Sequence, residues 1–249
     1  MSKHKKIGLI ALVVALLFVA GVVSYKRHRH VYQPAPKKVI DQIAFLNDTV
    51  YPATVLMYDQ DYEGTLKMTC TATAIGKDDE GYYFASAGHC VAGRLAVYLS
   101  RDNPGPQTFY PALVLAQGHV RCDCSLLYAK TKDAFQMVPL GVDPSQVGEP
   151  IMDVNGVGAK TKQAFFGWIS ALQLTRPTVL DDGTIWTGDL LFELPGEGPG
   201  SSGSALVCEN QDAICGITVG HGEGDMIAIP VSIYEEWVLG VKNGTIPAR

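Results

Sequence analysis

The first 38 residues of this 249-residue chain contain no acidic side chain, and the remaining residues contain few basic ones. Eight Lys or Arg residues precede position 39, whereas the rest of the chain has 12 basic against 25 acidic residues, a formal net charge of −13. Proteins that bind nucleic acid need clustered Lys and Arg side chains to neutralise phosphates. The acidic main part of the chain therefore excludes nucleic acid as a partner.

Charged side chains are also missing from residues 7–25, a run of nineteen residues that three lysines precede. At a rise of about 1.5 Å per residue, such a helix nearly spans a bilayer core of about 30 Å. A cleaved signal peptide would have a shorter apolar region and a small-residue cleavage site, and Val22-Val23-Ser24 is a poor match to one. We predict that residues 1–25 form a transmembrane anchor, with a signal peptide as the alternative.

The charges around this segment bear on its orientation. Basic residues after the span outnumber those before it, which by the positive-inside rule favours a cytoplasmic C-terminal part. That rule weakens when a long domain follows the span, and the six cysteines favour an oxidising compartment instead. We predict a single-pass membrane protein whose main domain lies on the extracytoplasmic side.

Two further segments follow the anchor. Residues 26–48 are predicted to be a basic linker that ends in a short juxtamembrane helix, because Val39, Ile43 and Leu46 lie at helical spacing. Residues 49–249 are predicted to be one globular domain with no internal repeat. Within this domain Ser232 precedes Glu235 by three residues, as in a capping box, and predicts a C-terminal helix that ends at Asn243-Gly244.

Short runs of β-branched and aromatic residues recur after residue 51, separated by Gly, Asn, Asp and Pro clusters. Many short strands with turn signals favour an all-β sandwich or barrel over alternating strands and helices. The predicted strands are Thr54–Tyr58, Thr69–Ile75, Tyr82–Ala87, Leu95–Ser100, Ala112–Ala116, Ser125–Ala129, Phe165–Leu174, Ile185–Leu194, Ala205–Cys208, Ile214–Val219 and Met226–Val231.

Three stretches of this all-β region contain residues with catalytic chemistry. They are Ser86-Ala87-Gly88-His89-Cys90, then Cys122-Asp123-Cys124-Ser125-Leu126-Leu127, and finally Gly200-Ser201-Ser202-Gly203-Ser204-Ala205-Leu206-Val207. The order His, Asp, Ser on an all-β chain is one known layout of a catalytic triad. Ser201 and Ser204 are rival hydroxyls, but the Gly-x-Ser-Gly register selects Ser202.

These stretches resemble the histidine, aspartate and serine boxes of the chymotrypsin/trypsin-like serine peptidases. The resemblance implies a double β-barrel with a C-terminal helix and hydrolysis of peptide bonds through a covalent acyl-enzyme. It implies that His89 is the general base, that Asp123 orients it, and that Ser202 is the nucleophile. The N–H groups of Gly200 and Ser202 would form the oxyanion hole.

The cysteines are interpreted partly through this resemblance. The family places a disulfide at positions matching Cys70 and Cys90, next to the histidine. Cys208 and Cys215 flank a predicted hairpin tip across which they could pair.

A possible metal site is a separate question. His119, Cys122 and Cys124 have a metal-like spacing, but structural zinc needs four ligands and no fourth is evident. Core thiols or a local disulfide are the other interpretations. We predict no metal and no cofactor.

Substrate specificity stays open at this stage. By register with the family, Gly196 lies near the base of the primary pocket, and Thr218, Val219, Gly220 and His221 lie along its wall. Glu197, Glu223 and Asp225 would favour a cationic side chain in this pocket, whereas His221 would favour an acidic or polar one.

Activation differs from that of the trypsin branch, which places Asp before the nucleophile to receive a new N-terminus. Ser201 stands there and carries no charge. The sequence therefore predicts an enzyme that needs no proteolytic activation.

Three functions are compatible with these patterns. The first is an active endopeptidase that cleaves proteins or peptides near a membrane. The second is a catalytically inactive binding module with the same barrels. The third is a viral or phage-type processing protease that faces the cytoplasm, which the basic residues after the span suggest.

Overall fold

The computed structural model describes residues 37–101, 108–118, 122–159, 161–172, 178–179, 185–186, 191–193, 198–222 and 225–245. The chain divides into two compact units, Met1–Ile40 and Asp41–Arg249. Among the described residues, no helix combines the length and apolarity that a bilayer crossing requires. The predicted anchor, residues 1–25, lies outside them, as do residues 26–36 of the predicted linker segment.

The described chain begins with helix, as the apolar spacing predicted. Helix α1 (Lys37–Phe45) runs into a π-helical turn (Leu46–Val50), which is followed by the short helix α2 (Tyr51–Ala53). Leu46 is buried, but Ile43 leaves 46% of its surface exposed. The predicted apolar stripe is therefore wrong at Ile43, because burial begins only with the π-helical turn.

Six antiparallel strands form the first closed barrel, in the order β1-β2-β3-β6-β5-β4, and β1 closes it against β4. Each contains one of the strands predicted from the sequence or lies within it. The strands are β1 (Thr54–Gln60), β2 (Leu66–Lys77), β3 (Gly81–Ala87), β4 (Ala96–Ser100), β5 (Phe109–Gln117) and β6 (Cys124–Lys130).

The second closed barrel has the order β11-β14-β13-β12-β7-β8. Strand β7 was not predicted, and β9 pairs with β10 in a separate small sheet. The strands are β7 (Pro150–Asn155), β8 (Gln163–Ala171), β9 (Thr178–Val179), β10 (Ile185–Trp186), β11 (Leu191–Glu193), β12 (Ala205–Cys208), β13 (Ala213–Gly222) and β14 (Asp225–Pro230). The all-β, two-barrel architecture expected from the sequence is confirmed.

Helix α3 (Val231–Lys242) follows the second barrel, but the predicted capping box is wrong. Pro230 occupies the N-cap, and no side chain of the helix caps it. The acceptor comes instead from Asp143, which receives the Ser232 N–H at 2.9 Å and the Ser232 hydroxyl at 2.6 Å. The C-terminal stop is confirmed, because Gly244 has a φ of +70°.

This helix is fastened to the first barrel by a buried hydrogen bond. The Tyr234 hydroxyl donates to the Ser125 carbonyl at 2.8 Å, and Tyr234 is fully buried. Burial raises the pKa of Tyr234, so this hydroxyl remains a donor throughout the ordinary pH range. Ser125 is the second residue of β6, two positions after Asp123, so the helix supports the strand that carries the predicted acid.

Candidate active site

His89 and Asp123 lie side by side because the strands next to them are paired. His89 starts a short 3-10 turn just after β3, Asp123 directly precedes β6, and Ala87 pairs with Cys124. His89 Nδ1 lies 2.5 Å from Asp123 Oδ2, and the His89 main-chain N–H donates to Oδ1 at 2.6 Å. Only 14% of the His89 side chain and 4% of the Asp123 side chain are exposed. This pair leaves Nε2 as the ring nitrogen directed away from the carboxylate.

The main chain around this pair is also fixed. The Gly88 N–H donates to the Asp123 carbonyl at 2.8 Å, and the Gln117 side chain donates to the Gly88 carbonyl at 2.8 Å. A Cβ at Gly88 would lie 2.8 Å from Asp123 Oδ1 and 2.5 Å from the Gly118 carbonyl oxygen. A glycine is therefore needed here, because the carboxylate and the neighbouring carbonyl oxygens approach the main chain too closely for a side chain.

Ser202 lies on the loop between residues 198 and 204, which contacts the first barrel beside His89. Its carbonyl oxygen accepts the Thr71 N–H at 2.9 Å. Cys90 Sγ lies 3.8 Å from the same carbonyl oxygen and 3.7 Å from His89 Nε2. One sulfur atom thus contacts both the imidazole and the main chain of the predicted nucleophile.

The amides of this loop fall into two groups. The N–H groups of Ser201, Gly203 and Ser204 donate to carbonyls of the loop itself or of β13. Within the described part of the chain, the N–H groups of Gly200 and Ser202 donate to no protein atom. These two residues are the predicted oxyanion donors, and Gly200 has a φ of +104°, which an L side chain rarely adopts.

Gly203 makes the close approach between the loop and the first barrel possible. Its φ is +85°, and a Cβ there would lie 2.1 Å from Ser86 Oγ and 2.3 Å from the Thr71 carbonyl oxygen. The second glycine of the serine box is therefore required by contact as well as by conformation.

Ser201 occupies the position that the trypsin branch gives to Asp. Its hydroxyl donates to the Gly198 carbonyl at 3.0 Å, and its N–H donates to the same oxygen at 3.2 Å. Ser201 is buried. The loop is thus closed by a neutral contact within itself.

All six cysteines of the chain are described, and their sulfur atoms are paired. Cys70 pairs with Cys90 and Cys208 with Cys215, with Cα–Cα distances of 6.1 and 5.7 Å. Cys122 pairs with Cys124. Because these sulfurs are bonded to one another, they are not thiolate ligands for zinc, and His119 lies outside the described residues.

The predicted specificity residues are only partly described. Thr218 and Val219 are buried on β13, where the pairing with β14 shifts between Thr218 and Gly220. The Thr218 carbonyl accepts the Gly203 N–H at 2.7 Å, so this strand borders the serine loop. The main chain of His221 pairs with Met226, but its side chain and all of Gly196 lie outside the described residues.

Two buried polar residues near the serine loop were missed from the sequence. Thr71 on β2 contacts the loop directly, and Asp153 on β7 is fully buried. Burial raises the pKa of Asp153 to about 7, against the pull of the Asn155 amide that donates to its Oδ2 at 2.6 Å. In the sequence, Thr71 is distinguished only by its position next to Cys70. No sequence pattern in β7 points to Asp153.

The chain thus has two closed six-stranded barrels, with a His–Asp pair on the first and a glycine-flanked serine loop on the second. This is the fold of the chymotrypsin-like serine peptidases. The chain is similar to AlgW, an HtrA-type protease with a decapeptide, at a TM-score of 0.65 and 17% identity over 81% of this chain and 67% of that one.

Two other solved structures show the same likeness. The Rv3671c protease from M. tuberculosis, in its active form, gives a TM-score of 0.65 at 16% identity, over 83% of this chain and 87% of that one. Deg5 gives 0.63 at 14% identity, over 82% and 95%. No family model matches the sequence, and no curated protein matches it. At these identities the likeness establishes the shared fold.

Proposed function

We propose that this protein is a serine endopeptidase that hydrolyses peptide bonds through a Ser202-His89-Asp123 triad. The observation that carries the proposal is the two-point contact between Asp123 and His89, together with the Cys90 sulfur that contacts both this imidazole and the Ser202 carbonyl oxygen. That arrangement supports a neutral His89 protonated on Nδ1, whose Nε2 can act as a base.

The chemistry follows from these roles. Ser202 Oγ attacks the scissile carbonyl carbon while His89 Nε2 takes the hydroxyl proton. The C–N bond then breaks, and His89 returns the proton to the leaving amine. Water, deprotonated by His89, attacks the acyl carbon of the Ser202 ester. The bond from that carbon to Ser202 Oγ then breaks, Oγ takes the proton back from His89, and the carboxylic acid leaves. Asp123 stabilises the imidazolium in both steps.

The oxyanion that forms in each step needs donors that are fixed before the reaction. The unused N–H groups of Gly200 and Ser202 are suited to this task, since a donor already bonded to protein would first have to break that bond. The neutral internal contact of Ser201 supports a loop that forms without a new N-terminus. The proposed enzyme is therefore active without proteolytic processing.

The substrates and the site of action are proposed on further grounds. AlgW is described with bound peptides, which supports peptide or protein substrates for a chain of the same fold. The uncharged residues 7–25 support a single-pass membrane anchor. The paired cysteines support an oxidising compartment, and so an extracytoplasmic domain rather than a processing protease in the cytoplasm.

A fluorophosphonate probe tests the catalytic proposal, because it reacts covalently with activated serines. The wild-type chain is expected to be labelled and to cleave casein, and Ser202→Ala should abolish both. Ser204→Ala is the matched control, since Ser204 is the rival hydroxyl on the same loop, and it should still be labelled. A wild-type chain that is neither labelled nor active would favour the binding module.

The membrane proposal has its own test. The full-length chain should remain with membranes after carbonate extraction, and a chain without residues 1–25 should be released. N-terminal sequencing of the membrane-bound protein should begin at or next to Met1. A start near residue 24 would identify a cleaved signal peptide instead.

A further inference from the structure

Thr71 connects the two barrels at the serine loop through both its main chain and its side chain. Its N–H donates to the Ser202 carbonyl at 2.9 Å, and its hydroxyl donates to the Gly200 carbonyl at 2.7 Å. The hydroxyl oxygen also accepts the Gly156 N–H at 3.0 Å. Thr71 is fully buried, so water does not compete for these bonds.

The direction of these bonds is set by the donors. A hydroxyl has one proton and can accept through its lone pairs. Gly156 contacts the Thr71 hydroxyl with its N–H and Gly200 contacts it with its carbonyl oxygen, so the hydrogen bonds run from Gly156 N–H through Thr71 Oγ1 to the Gly200 oxygen. Hydrogen bonds in such a chain strengthen one another in a buried site.

Hydrogen bonds from Thr71 and from Gly158 hold the peptide planes on the two sides of Gly200. The Thr71 hydroxyl holds the Gly200 carbonyl, and so the plane that follows Gly200. The segment anchored at Gly156 continues to Gly158, whose N–H donates to the Pro199 carbonyl at 3.1 Å and so holds the plane that precedes Gly200. In a trans peptide the N–H points opposite to the carbonyl, so this contact also aims the Gly200 N–H.

We infer that the Thr71 hydroxyl is a positioning group for the oxyanion hole, acting through Gly156 and Gly200 rather than on the substrate. The inference rests on the proposed function of the site. Glycine at 200 permits many main-chain conformations, so an external contact is needed to select one. Without the hydroxyl, the Gly200 carbonyl and the Gly156 N–H would be buried without partners, and the main chain would turn to find others.

The test removes the hydroxyl and keeps everything else that Thr71 contributes. Thr71→Val has nearly the same shape and keeps the main-chain bond to Ser202, and Thr71→Ala is a second variant without the hydroxyl. Thr71→Ser restores the hydroxyl. Thr73→Val is the matched control, because Thr73 is equally buried two residues along β2 and its hydroxyl has no partner among the described residues.

Each full-length variant is compared in kcat and KM for p-nitrophenyl acetate, with active sites counted by fluorophosphonate titration. We expect Thr71→Val and Thr71→Ala to lower kcat by about 10- to 100-fold with little change in KM, the size of effect that a small misplacement of a catalytic group produces. Thr71→Ser should recover most of the activity, and Thr73→Val should retain it.

Equal losses in the Val and Ser variants, or an equal loss in Thr73→Val, would overturn the inference, as would a Thr71→Val enzyme within twofold of wild type. A crystal structure of Thr71→Val distinguishes failure of the positioning role from failure of the proposed function. If the wild-type chain proves inactive, a turned Gly200–Ser201 peptide in that structure still supports the positioning role, and an unchanged peptide contradicts it.

Discussion

Asp123 holds His89 at two points, accepting the main-chain N–H of the histidine on Oδ1 and contacting its Nδ1 through Oδ2. Both bonds are made by one carboxylate that is almost completely buried. The two-point contact fixes the position of the main chain and the orientation of the ring together. Asp123 is therefore expected to contribute both to catalysis and to the local fold.

Replacing Asp123 with Asn separates these contributions. The amide keeps the size of the carboxylate but presents an N–H₂ group, which favours the wrong imidazole tautomer. We expect ester and peptide hydrolysis to fall by about 10³- to 10⁴-fold, with a smaller loss in thermal stability. Steady-state kinetics and thermal unfolding measure the two effects. An Asp123→Asn enzyme within tenfold of wild type would show that Asp123 does not orient the base.

Gly88 tests how closely the carboxylate approaches the main chain. Gly88→Ala introduces a Cβ at 2.8 Å from Asp123 Oδ1, so we expect a loss of stability of about 1–3 kcal/mol and a lower kcat. Gly76→Ala is the control, because a Cβ there meets no atom within 4 Å. Denaturant unfolding and kinetics measure both variants. Equal results for the two alanines would contradict the close approach.

Asp153 predicts a pH dependence of stability. Its pKa is about 7 in the folded protein against an ordinary value of 3.8, so between these values the folded state retains a proton that the unfolded state releases. The free energy of unfolding therefore falls as pH rises through this window, by on the order of 4 kcal/mol at most.

Asp153→Asn should remove this dependence. The variant should match wild type near pH 4 and exceed it in stability at pH 8, as measured by urea unfolding at both pH values. Asp48→Asn, at an exposed position, should keep the wild-type slope. An Asp153→Asn protein with the wild-type slope would mean that Asp153 does not retain its proton.

Removal of the Cys70–Cys90 disulfide should lower both stability and activity, whereas removal of Cys208–Cys215 should lower stability alone. Cys70–Cys90 closes a loop with a sequence separation of 20, and its removal by a double Ser substitution should cost about 3 kcal/mol. Activity should fall as well, because Cys90 contacts His89 and the Ser202 main chain. Removal of Cys208–Cys215, with a separation of 7, should lower stability and leave the specific activity of the folded protein intact.

The sequence predicted what depends on local pattern. Short runs of β-branched and aromatic residues between turn clusters located most strands of both barrels, and the histidine and aspartate boxes located the His–Asp pair. Strand β7 was missed because Asp153 and Asn155 interrupt its apolar pattern, although both are buried and the Asn155 amide donates to the Asp153 carboxyl. No local pattern signals a polar pair that is buried inside a barrel.

Other failures share a cause in contacts between distant residues. The capping box at Ser232 failed because Asp143, 89 residues away, supplies the acceptor. Thr71 was overlooked because its role depends on Gly200, 129 residues away. A threonine on a β-strand is ordinary in sequence, and only the pairing of the two barrels gives its hydroxyl a specific partner.

A crystal structure with a bound peptide boronic acid tests the central claim most directly, because a boronate mimics the tetrahedral intermediate. The account predicts a covalent bond from boron to Ser202 Oγ, one boronate oxygen within about 3 Å of the Gly200 and Ser202 nitrogens, and His89 Nε2 next to Ser202 Oγ. A boronate attached to another residue, or an oxygen that faces neither nitrogen, would contradict it.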